Sequence, residues 1–119
     1  MANYRELTVW QKSMQLVEEI YRIVRLLPKE ETYGLYDQMR RAAVSIPSNI
    51  AEGHGRDSRN EFVHFLSIAQ GSRAELETQL EICSRLGYAA DQQLKSALAL
   101  SEEVEKMLYA LSRKLRTKN

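Results

Sequence analysis

The sequence predicts an all-α protein, an antiparallel up-down four-helix bundle, and three observations predict it. Apolar residues recur at spacings of three and four through four successive segments, and no segment alternates in the manner of a strand. The links between those segments are short and marked by Pro28, Gly53-His54-Gly55 and Gly87. Four amphipathic helices on short links pack most economically as an antiparallel bundle. At 119 residues the chain forms one domain, 1–119, able to bury a core without metal or disulfide support.

The first helix is expected over about 8–27, opening where Thr8 and Gln11 have the spacing of a capping box. Trp10, Met14, Val17, Tyr21 and Val24 make one stripe, and Val9, Leu16, Ile20, Ile23 and Leu27 make a second beside it. Together they cover roughly half the helix circumference, more than a surface helix needs. The helix is therefore expected to be buried on two sides, centrally in the bundle or partly against another subunit. Pro28 ends it, because the residue before a proline disfavours helical geometry.

The second helix is expected over 33–53, with Leu35, Met39, Ala42, Ile46, Ile50 and Gly53 on one face. That stripe keeps phase through Pro47, which predicts one helix kinked at Pro47; a helix restarting with Pro47 in its first turn is the alternative. The third helix, about 58–86, follows a Ser58/Glu61 capping box and carries Phe62, Phe65, Leu66, Ala69, Ser72, Leu76, Leu80 and Cys83 as its core stripe. Gly71 and Ser72 are costly in a helix but permit close approach of a neighbouring backbone. Gly87 is placed to cap its end. The fourth helix, about 91–116, is lined by Leu94, Ala97, Leu100, Ser101, Val104, Met107, Leu108, Leu111 and Leu115.

Composition narrows the functions. Charges at Arg5, Glu6 and Lys12 interrupt any signal-peptide core, and no apolar run reaches the roughly 18 residues of a membrane span, so a soluble protein is expected; the single cysteine, which rules out an internal disulfide, fits a reducing, cytoplasmic setting. The lone Cys83 falls on a core stripe, where it reads as a small buried hydrophobe. His54 and His64 have no partner at metal-pair spacing, and the Glu61/His64 pairing of a di-iron bundle is never repeated. Glu75, Glu77 and Glu81 read as a solvated acidic face. There is no phosphate-binding glycine loop. These observations point away from an enzyme, a cofactor, a metal and a small-molecule substrate.

Charge is unevenly distributed. Residues 60–106 carry four basic and eight acidic side chains, whereas 107–119 carry Arg113, Lys114, Arg116 and Lys118 and no acid. Arg40 and Arg41 on the second helix, with Arg56 and Arg59 in the following turn, are candidates for a cationic patch near one end of the bundle. Guanidinium groups grip phosphates bidentately and an ammonium pairs with them as a point charge, so Arg40, Arg41, Arg56, Arg59, Arg113, Lys114 and Arg116 are the candidate nucleic-acid contacts. The competing use is pairing with acidic helix faces within or between subunits, and at the tail, neutralising the negative end of the last helix.

The stretch YGLYDQMRRAAVSIPSNIAEG at 33–53 is specific enough to resemble a family, that of the 23S ribosomal RNA intervening-sequence proteins. Leu7-x-Val-Trp-Gln-Lys12, Glu61-Phe62, Phe65-Leu66, AQGSxAELETQL at 69–80 and Leu86-Gly-Tyr88 agree with it. The resemblance implies a bacterial four-helix bundle assembling into a ring-like homopentamer. It also implies kinship to the accessory variability protein of diversity-generating retroelements, which partners a reverse transcriptase and binds nucleic acid through a basic surface. No catalytic residue belongs to the family motif. Its Pro47, Asn49, Glu52 and Gly53 read as structural: Asn49 borders the apolar face and satisfies backbone or a neighbouring helix, and Glu52 is placed to pair with an arginine. The expected function is a non-enzymatic oligomeric scaffold binding RNA or a reverse-transcriptase-type ribonucleoprotein. The alternative is a protein–protein adaptor whose arginines serve subunit interfaces.

Overall fold

A computed structural model describes residues 3–117 and is all-helical across them. Four helices, α1 (Thr8–Ile23), α2 (Leu35–His54), α3 (Arg59–Arg85) and α4 (Asp91–Thr117), alternate in direction. Each packs on the next in sequence and α4 closes on α1, while the diagonal pairs do not approach, so the cross-section is a square. Short 3-10 turns at Tyr4–Glu6, Val24–Leu26 and Lys29–Glu31 precede α1 and bridge it to α2. Lys118 of the basic tail lies outside the described residues.

The helix ends differ from the expected ones for local reasons. The last turn of the first helix tightens to 3-10 ahead of Pro28. The helix does begin at Thr8, yet Thr8 caps nothing: Leu7 is the N-cap, without a side-chain bond, and the Gln11 amide donates to the Arg5 carbonyl instead. The second helix starts at Leu35 because Gly34, at φ −111° and ψ −110°, lies outside helical geometry. It then runs unbroken through the buried Pro47 to His54, as the unbroken stripe predicted. At the start of α3 the Ser58 hydroxyl accepts from the Glu61 amide at 3.1 Å. At its end Gly87, φ +73°, closes a Schellman turn in which Gly87 N–H donates to the Ser84 carbonyl and Tyr88 N–H to that of Cys83.

The core follows the apolar stripes, with Leu16, Ile20, Met39, Ile46, Ile50, Leu66, Leu76, Leu80, Leu94 and Leu108 fully buried. Within the single chain the first helix buries one of its two stripes and Val24 of the other: Met14 and Tyr21 are more than a third exposed, and Trp10 and Val17 are partly buried. Central burial in the bundle is therefore excluded, and the expectation that stands is the second one, a stripe packed partly against another subunit. Two other expectations need correction. Gly71 faces solvent and brings no backbone close; Gly53 does, since a Cβ there would sit 2.6 Å from Phe65 Cβ. The core row of α3 also includes Arg73, only 6% exposed, a residue that its charge had removed from the predicted stripe.

Arg73 ties α3 to α4. Its Nε donates to Gln70 Oε1 at 2.8 Å, one terminal nitrogen donates to Glu77 and to Ser101 Oγ, and the other lies 3.5 Å from Glu105. Between α2 and α3 the tie is smaller. The Ser45 and Ser72 hydroxyls meet at 2.8 Å, and the Asn49 amide donates to the Ser45 carbonyl and hydroxyl. Asn49 thus satisfies backbone, as its place at the edge of the apolar face led us to expect.

Candidate nucleic-acid interface

Helix register decides which basic residues meet. Ser84 pairs with Asp91, Arg73 with Ser101 and Gln70 with Glu105, so the antiparallel α3/α4 register, continued downward, sets Arg116 level with Arg59 and Arg113 level with Phe62. On the other side of α3, Ser45 pairs with Ser72 and Arg56 lies 4.0 Å from Glu61, which brings the end of α2 to the same level. The start of α1 and the Tyr4–Glu6 turn lie there too, because Trp10 lines a cleft with Pro47 and Ala51. One end of the bundle therefore gathers Arg5, Arg56, Arg59, Arg113, Lys114 and Arg116.

Arg40 and Arg41 are not part of it. They lie in the first third of α2, and the 15 residues from Arg41 to Arg56 span about 22 Å at 1.5 Å per residue. The bundle is 49 Å long, so this separation is nearly half of it. The single patch expected from Arg40, Arg41, Arg56 and Arg59 is divided in two, because one continuous helix carries the first pair away from the second. In exchange the C-terminal cluster, distant in sequence, joins Arg56 and Arg59.

Members of the end cluster are engaged to different degrees. Arg56 is paired with Glu52 at 2.9 Å and lies over the Phe65 ring at 4.9 Å, so much of its charge is already answered within the chain. Arg5 lies over Tyr4 and Arg113 over Tyr109, at 4.9 and 5.6 Å from the ring centroids. Arg59, Arg113, Lys114 and Arg116 are exposed, and among the described residues none has a carboxylate within 4.0 Å. Besides Glu52 and Glu61, the acids at this end are Glu6 and Asp57.

The other pair is built differently. Arg41 is bound to Asp37 at 3.0 Å. Arg40 is clamped between the Tyr21 and Tyr36 rings, 5.2 Å from each centroid, with its Nε buried and without a hydrogen-bond partner. Sequence reasoning missed this clamp, although Tyr36 at i−4 from Arg40 on one helix was a signal for half of it.

The remaining candidates for chemistry are dispersed. Cys83 is buried 3.6 Å from Met39 Sδ, and burial pushes its thiol pKa up. The Tyr88 hydroxyl donates to Glu31 at 2.9 Å, and that bond raises the Tyr88 pKa. His54 packs edge-on against Phe62, and His64 against Phe65. Among the described residues no three His, Cys, Asp or Glu side chains come together, and no helix is long and apolar enough to cross a membrane.

A family model described as 23S rRNA-intervening sequence protein matches residues 5–110. Among solved structures, the chain is similar to a protein of unknown function from the S23 ribosomal protein family of Bacteroides thetaiotaomicron. That likeness has 29% sequence identity and a TM-score of 0.81, and it covers 88% of this chain and 98% of the other. None of the curated proteins compared with the chain matches it.

Proposed function

The chain belongs to the 23S rRNA-intervening sequence protein family, and on that premise we propose that it is a non-enzymatic, cytoplasmic oligomeric scaffold that binds RNA through the basic end of its bundle. The observation that carries this reading is the convergence of Arg59, Arg113, Lys114 and Arg116, without carboxylate partners among the described residues, from two helices that meet only in the folded chain. Cations with no acid to answer them are free to neutralise phosphates and release counterions, and a cluster drawn from separate helices sets a spacing that a disordered tail does not. Tyr109, largely exposed beneath Arg113, adds a ring on which an unpaired base can stack.

Fluorescence anisotropy with a single-stranded RNA oligonucleotide tests it. Changing Arg59, Arg113 and Arg116 together to Gln should weaken binding and reduce the slope of log affinity against log salt by about 2. Changing Arg40 and Arg41 to Gln should leave that slope unaltered. Equal loss from both variants would mean nonspecific charge attraction, and no binding by the unaltered chain at low salt would favour a protein–protein adaptor.

A further inference from the structure

Above the basic end the α3/α4 seam opens into a cleft of about 680 Å³, within the size range of sites that take small organic ligands. Gly71 and Ala74 line it from α3, Tyr109 and Ala110 from α4, and Arg113 stands at its foot. Tyr109, Arg113 and Arg116 are i, i+4 and i+7 on α4, so they share one face and the cleft runs directly into the basic cluster. We infer that this cleft is a nucleobase pocket: an unpaired base of a bound RNA, a purine for preference, lies against Tyr109 while its phosphates pass down to Arg113 and Arg116. Such a pocket rests on the RNA reading above and narrows its ligand to single-stranded RNA.

The walls suit the flat faces of a base. Tyr109 is 63% exposed, and the Arg113 guanidinium lies 5.6 Å from its ring centroid. Bases stack on aromatic rings whatever their sequence, and an arginine beside the ring adds to the attraction. Stacking grows with ring overlap, which favours a bicyclic purine over a pyrimidine. Across the cleft, Gly71 is unfavourable in a helix interior, yet no atom of this chain lies within 4 Å of where its Cβ would be. Nothing within the bundle requires glycine there; what it provides is room in the cleft.

Charge distinguishes a nucleotide from other occupants. The charged groups in the upper part of the cleft are answered within the chain: Arg73 by Glu77 and Glu105, and Lys106 by Glu102 at 3.4 Å. At the foot, Arg113 and Arg116 have no carboxylate within 4.0 Å among the described residues. A neutral, largely apolar chamber above unpaired cations matches a neutral base above an anionic phosphate. Tyr109 stands about 6 Å above Arg113 and about 10 Å above Arg116 at 1.5 Å per residue, which sets the two guanidiniums along one strand leaving the cleft. A duplex keeps its bases stacked inside and has none to place there.

The polar side of the cleft is fixed before any ligand arrives. The Gln70 amide is held at both ends: Nε2 donates to the Glu105 carbonyl at 3.1 Å, and Oε1 accepts from Arg73 Nε at 2.8 Å. These bonds set which end is which and leave one N–H and one oxygen lone pair unspent. Unpaired bases are recognised by donors and acceptors along their edges, and an amide of settled orientation offers one of each.

Two measurements on the full chain test this. In nuclear magnetic resonance titrations adenosine monophosphate should shift the Gly71 and Ala110 amide signals, and ribose 5-phosphate, which lacks the base, should leave them in place. In fluorescence anisotropy with an adenine-rich single-stranded RNA, Gly71→Leu and Tyr109→Leu should each weaken binding about 10-fold. The slope of log affinity against log salt should not change, because stacking releases no counterions. Tyr109→Phe should keep the affinity, and none of the three should alter binding of a fully paired RNA of the same length. Gly71→Leu enters open space and Tyr109 is exposed, so the variants should fold as the unaltered chain does. Adenosine monophosphate shifts that are absent or matched by ribose 5-phosphate would overturn the pocket while leaving the basic end as the RNA site. So would full affinity in Gly71→Leu, a reduced salt slope in Tyr109→Leu, or equal losses on paired and unpaired RNA. No RNA binding by the unaltered chain at low salt would overturn the RNA reading itself, and the pocket with it.

Discussion

Gly53→Ala should destabilise the fold, against the usual benefit of replacing glycine in a helix. The added Cβ would sit 2.6 Å from Phe65 Cβ and 3.1 Å from Phe62 Cδ1. Favourable carbon–carbon contact lies near 3.5–4.0 Å, so α2 and α3 must part by about 1 Å at this level. Phe65 Cβ cannot swing aside as a side-chain tip would, because it is fixed to the backbone of α3. Overpacking of this kind costs about 1–3 kcal/mol, and the helix-propensity gain at the last turn of α2 offsets at most about 1 kcal/mol. The net expectation is a loss of about 1–2 kcal/mol, or roughly 4–8 °C in melting temperature for a domain of this size. Thermal unfolding followed by circular dichroism measures it. Gly71→Ala, whose Cβ meets nothing within 4 Å, is the matched control and should gain up to about 1 kcal/mol in dilute solution. A Gly53→Ala protein that melts at or above the unaltered one would refute the close approach.

Two further outcomes follow from the buried polar groups. Arg73→Ala should lower stability by about 2–4 kcal/mol, since it removes a buried stem together with the bonds to Gln70 and Ser101; Arg73→Met, which keeps the stem, should lose less. Urea unfolding at unchanged m-value measures both, and a loss below about 0.5 kcal/mol for Ala would remove Arg73 from its place as the α3/α4 tie. Stability should also fall at alkaline pH. Both Cys83 and Tyr88 have folded pKa values raised above their ordinary ones of 9.0 and 10.0, so their contributions are complete below those values and are lost as pH climbs through the folded ones. Tyr88→Phe and Cys83→Ala should each flatten the decline of melting temperature above about pH 9; an unchanged decline in both would show that other groups govern it.

The fold was legible because apolar spacing survives folding unchanged: the stripes of α2 and α4 are the buried faces of those helices. What escaped the sequence is where residue type and position disagree. Arg73 lies in phase with Ala69, Leu76 and Leu80, and its phase alone would have put it in the core, yet a charged side chain is ordinarily assigned to water. Glycines pose the same difficulty, since Gly53 and Gly71 look alike in sequence and only packing distinguishes the crowded one from the open one. The basic residues were identified by type but not by grouping. Arg41 and Arg56 are near in sequence and far apart along a rigid helix, whereas Arg59 and Arg116 are far apart in sequence and level in the bundle. Grouping depends on helix register, which local composition does not carry.

Register also couples the two proposed activities. If the proposed assembly is a ring of parallel bundles, every copy points its basic end the same way, and all copies of Arg59, Arg113, Lys114 and Arg116 fall on one rim. An RNA strand long enough to reach two copies then binds the second as an intramolecular event, at an effective concentration set by the spacing of the ends. Val44→Glu sets a charge on the exposed face of α2, in the middle of the helix and away from the basic end, and is expected to separate the subunits of the proposed assembly. A short oligonucleotide that spans a single end should bind this variant as tightly as it binds the unaltered chain. A long one should lose the avidity that linkage supplies, typically 10- to 100-fold or more. If long and short RNA lose affinity equally, the basic end is itself altered by the substitution; if neither loses any, a single bundle holds the whole RNA site and the shared rim has no part in binding.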